Sequence, residues 1–71
     1  MRKREMTYYD RHREMIKSAS DEMLELSREH WARIHKENID ANRYDLYIFS
    51  AKMLDDVMNE QFKRANERET R

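Results

Sequence analysis

Apolar residues recur at helical spacing along two long stretches of this 71-residue chain. In the second stretch, an advance of about 100° per residue puts Tyr44, Tyr47, Ile48, Ala51, Leu54, Met58, Phe62 and Ala65 on one face. The same arithmetic places Leu46, Phe49, Met53 and Val57 on the opposite face. A helix apolar on both sides needs a neighbour on each. In the first stretch Tyr9, His12, Ile16, Ala19, Met23, His30 and Ile34 share a face, flanked by Tyr8, Met15 and Leu26 on one side and Leu24 and Trp31 on the other. That broad stripe predicts a helix over about 8–36, opened at Tyr8 by Thr7 and Asp10 acting as a capping box.

The interruption His35 to Asn42, HKENIDAN, predicts the turn. Asn38 and Asp40 are cap candidates there, so the second helix is expected over about 40–68. Two helices of nearly equal length with a short link imply an antiparallel hairpin. Folding the chain at residues 38 and 39 brings Ile34 to Tyr44, Leu26 to Ala51, Met23 to Leu54 and Ile16 to Phe62. This register consumes the front face of the second helix and leaves Leu46, Phe49, Met53 and Val57 outside, as the expected partner or dimer interface. Covering that row with a second copy gives a dimeric four-helix bundle. One competing arrangement turns on Ser18, Ser20 and Asp21, which prefer caps to helix interiors. A break there makes three helices, and a three-helix fold buries the back row internally.

Composition narrows the fold class to all-α. The chain has no Gly, no Pro and no Cys, which disfavours hairpin turns and phosphate loops and excludes disulfides. At this length it is one domain, residues 1–71, with 1–6 and 69–71 expected to fray. A core so small rarely supplies more than about 3–5 kcal/mol unaided, which again favours association. Charged residues make up 42% of the chain, fifteen basic against fifteen acidic, so no global field draws it to nucleic acid or lipid. No apolar run matches a membrane span or signal-peptide core, so the expected location is the cytoplasm.

The charges are nonetheless uneven. Arg2, Lys3, Arg4, Arg11, Lys63 and Arg64 would gather where the two termini of a hairpin meet. This basic end is the basis of an alternative reading, an RNA- or DNA-binding bundle. Catalytic and metal chemistry find little support. None of His12, His30 and His35 has His, Asp or Glu three or four residues away, the spacing a helical metal site requires. No base is placed beside a Ser or Thr by local spacing, and no cofactor or metal is expected. The leading expectation is a non-enzymatic helical module, probing another protein by contact as a regulator, inhibitor or adaptor of bacterial or phage type, and working as a homodimer.

Overall fold

A computed structural model describes residues 7–69, which form three helices and, among the described residues, no strand: α1 (Tyr8–Ser18), α2 (Asp21–Asp40) and α3 (Tyr44–Glu69). The all-α class and the pairing of α2 with α3 as a hairpin follow the sequence reading. The single helix expected over 8–36 does not form. Of the tails expected to fray, 1–6 and 69–71, residues 1–6, 70 and 71 lie outside the described residues, while Glu69 closes α3.

α1 starts where the capping box places it. The Asp10 backbone N–H donates to Thr7 Oγ1 at 3.2 Å and the Thr7 N–H donates back to the Asp10 carboxylate at 3.1 Å. The helix stops at Ser18, whose hydroxyl turns back to the carbonyls of Glu14 and Met15. Ala19 and Ser20 are both extended, and Ser20 then caps α2 by accepting from the Met23 N–H at 3.2 Å. Asp21 and Glu22 follow in the first turn of α2, where negative charge complements the helix dipole. Local capping here outweighs the continuity of the apolar stripe.

The second connection lies later than HKENIDAN implies. Asn38 and Asp40 sit within the last turn of α2, and the chain reverses over Ala41, Asn42 and Arg43. Asn42 takes the left-handed conformation, φ 55°. Its N–H donates to the Ile39 carbonyl at 3.1 Å and the Arg43 N–H donates to the Asn38 carbonyl at 2.9 Å, a Schellman closure. In a chain without glycine, asparagine is the residue best able to supply that geometry. The Arg43 carbonyl then accepts from the Tyr47 N–H and begins α3.

Both corrections change what α3 packs against. His35 faces Ser50, Glu25 faces Gln61 and Asp21 faces Arg64, so each α2 residue meets a partner roughly two helical turns later than the expected register. Because α1 is a separate helix, α3 has two neighbours on one side. Phe49 lies against Tyr8 and Tyr9 of α1, with ring centroids 5.4 and 5.8 Å away, and against the edge of Trp31 of α2 at 5.8 Å. Ile16, Leu24, Met53 and Val57 form the buried apolar set, each contributing about 1.5–3 kcal/mol through burial. The molecule is flat, 44 × 39 × 17 Å, and among the described residues no helix lies over the far side of α3.

Candidate contact surface

The expected interface residues part company in the fold. Met53 and Val57 are 0% exposed and Phe49 is half-buried, all three within one subunit. Only Leu46 is open, at 50%. This row is therefore not an outer surface: the break at Ala19 and Ser20 gives it two helices to pack against. The opposite row stays outside. Tyr44, Tyr47, Ile48, Met58 and Phe62 are all exposed, Tyr44 and Phe62 by 75% and 69%. Ala51 and Leu54 are half-buried between them.

Polar side chains fix which row turns inward. Ser50 is completely buried and donates its hydroxyl proton to the Tyr47 carbonyl at 3.0 Å. Its oxygen accepts from Asn38 Nδ2 at 3.3 Å and meets His35 Nδ1 at 3.1 Å. The imidazole also stacks on Tyr47, 4.6 Å between centroids. Reading local spacing could not find this serine–histidine contact, because the two residues lie fifteen positions apart on different helices. A nucleophile needs a reachable oxygen with a base ready to take its proton. Ser50 is sealed from solvent, and its contacts with His35, Asn38 and the Tyr47 carbonyl satisfy the α2–α3 interior.

At the other end Arg64 ties all three helices together. Its guanidinium donates to the Ile16 and Lys17 carbonyls at 3.3 and 3.2 Å, to Asp21 at 3.0 Å and to Glu60 at 2.9 Å. The last carbonyls of α1 and the first turn of α2 thus share one cation. Arg68 also reaches Asp21. The Arg64 hydrogen bond, helped by Arg68, holds the Asp21 carboxyl below the usual carboxylate range. Of the residues proposed to meet phosphate, Arg64 is consequently occupied inside the fold, Arg11 and Lys63 are exposed, and Arg2, Lys3 and Arg4 lie outside the described residues.

Midway along the interior, His12 is buried against the edge of Trp31, with Asp56 3.9 Å from its Nδ1. Neither ring nitrogen nor Asp56 Oδ2 has a hydrogen-bond partner among the described residues. Loss of solvent pushes the His12 pKa down from its ordinary 6.5, and Asp56 offsets only part of that. No group of three or more His, Cys, Asp or Glu is assembled as a metal site among the described residues. No helix described is long and apolar enough to cross a membrane.

An open cavity of about 290 Å³ lies at the α2–α3 turn, lined by Asn38, Ile39, Asn42, Arg43, Tyr44 and Tyr47. It continues the exposed row of α3 at its first turn. The chain matches no family model, no curated protein and no solved structure.

Proposed function

We propose that this protein is a non-enzymatic helical module that acts on another protein as a regulator, inhibitor or adaptor, and that it does so as a homodimer. One observation carries the reading: the uncovered row Tyr44, Ile48, Met58 and Phe62 on the outer face of α3. Single exposed apolar residues are ordinary, but a row aligned along five turns of one helix gains by being covered. Large rings and a flexible thioether also suit a contact surface. The opposite row, Phe49, Met53 and Val57, serves the fold and drops out of the interface.

With α3 covered by a second copy, Met23 and Leu26 on α2 remain exposed and offer a separate, smaller apolar contact for a protein partner. Light scattering tests the dimer. Wild-type chain is expected at twice its 8.9 kDa mass, and the Ile48→Glu, Phe62→Glu double variant at the monomer mass with unchanged helical circular dichroism. A wild-type monomer would remove the homodimer. Affinity capture with Met23→Asp, Leu26→Asp chain tests the rest: the variant should stay dimeric and lose partners that wild type retains.

A further inference from the structure

We propose that the two copies pair through the outer faces of α3 in antiparallel orientation, about a twofold axis that passes between the two helices level with residue 53. This rests on the homodimer reading above and adds its orientation and register. The row reads nearly the same in both directions. Reversing α3 about residue 53 brings Tyr44 level with Phe62, Ile48 level with Met58 and Ala51 level with Asp55. Each large ring at one end thereby meets a ring of the second copy, over a contact roughly 27 Å long. Close to the axis stands Ala51, small enough for the two backbones to approach.

Charge selects the same orientation. Asp45 and Lys63 lie along one edge of the row and are exposed; Lys52, on the same edge, holds its ammonium over the Tyr9 ring of α1, 4.9 Å from the centroid. An antiparallel twofold sets that edge against the same edge of the second copy, with the direction reversed. Asp45 then lies near Lys63 of the second copy, a pair that occurs twice. Parallel pairing also sets ring on ring, Tyr44 on Tyr44 and Phe62 on Phe62, but turns the charged edge against the opposite edge, Tyr47, Leu54 and Ala65, which carries no charge. Opposed helix dipoles add to the antiparallel preference. A foreign helix has no reason to match this reversed order, whereas a second copy matches it by symmetry.

The absence of native cysteine makes cross-linking clean. Asp45→Cys and Lys63→Cys chains, differing in tag length, are mixed and treated with a short bifunctional maleimide. Antiparallel pairing predicts a mixed dimer at several-fold higher yield than cross-linked dimer from either variant alone. In parallel, Lys63→Asp should weaken dimerisation roughly tenfold, and the charge-exchanged Asp45→Lys, Lys63→Asp chain should recover most of it. Circular dichroism of each variant separates lost pairing from lost folding. A dimer that cross-links through Asp45→Cys alone, or gives no mixed product, overturns the antiparallel register and leaves the homodimer standing. A wild-type monomer at tens of micromolar, well above the Kd of a specific dimer, overturns both.

Discussion

The two sides of α3 differ less in apolar content than in what their polar residues can reach. On the inner side, Ser50 meets His35 and Asn38, Gln61 meets Glu25, Arg64 meets Asp21 and the end of α1, and Asp56 faces His12. Between them, Met53 and Val57 are sealed from solvent. The outer side has the larger apolar set, yet Tyr44, Ile48, Met58 and Phe62 stay wet in the single subunit. Burying the larger set would have buried more apolar area. It would also have exposed or orphaned the polar partners on α1 and α2, and an unmatched buried polar group costs about 1–3 kcal/mol. Polar complementarity thus decides between two nearly equivalent apolar faces.

Substitution at matched sites should break this comparison most sharply. Met53→Ala empties a completely buried position and is expected to cost about 2–5 kcal/mol, read by chemical denaturation. Ile48→Ala, on the outer side, should change the stability of the isolated monomer by no more than about 0.5 kcal/mol, measured in the Phe62→Glu background to exclude the dimer. Equal losses at the two positions would erase the distinction between the sides, and a larger loss at Ile48 would reverse it. Arg64→Met comes next. It removes the cation shared by α1 and α2, so amide exchange should accelerate across Tyr8–Ser18 while the α2–α3 contact stays protected.

Much of the fold was legible, and the misreadings have local causes. Thr7 and Asp10 announced the start of α1, and two-sided amphipathicity announced that α3 would leave one face uncovered. Which face stayed open was not legible, because it depends on a turn placed by Asn42 and on helix partners fifteen or more residues away. Ser20 followed by Asp21 and Glu22 did carry a helix-start signal. The stripe that ran unbroken through it outweighed that signal. Asn42 is itself a smaller test of the same lesson. Asn42→Gly should stabilise the hairpin by several tenths of a kcal/mol, and Asn42→Val should cost about 1–2 kcal/mol, since a β-branched residue resists positive φ. Thermal melts of the three chains rank them; an unchanged Asn42→Val midpoint would deny the turn its left-handed residue.

The subtlest contrast between the two sides concerns charge. His12 is packed inside with its nitrogens unpartnered, and burial lowers its folded pKa below the ordinary 6.5. Above pH 6.5 the imidazole is neutral in both folded and unfolded chains, so this group imposes no pH dependence there. As the pH falls below 6.5 the unfolded chain takes up a proton that the folded chain still refuses, and stability declines until the lower folded pKa is passed. Asp56 supports the charged form, so Asp56→Asn should deepen the decline, while His12→Phe should remove this contribution. Denaturation midpoints at pH 8, 6.5 and 5, each compared with wild type, give the difference directly. If His12→Phe loses as much stability between pH 6.5 and 5 as wild type does, the buried imidazole is not the group that resists protonation. The outer row carries no histidine, so the pH dependence of folding belongs to the side that α1 and α2 close.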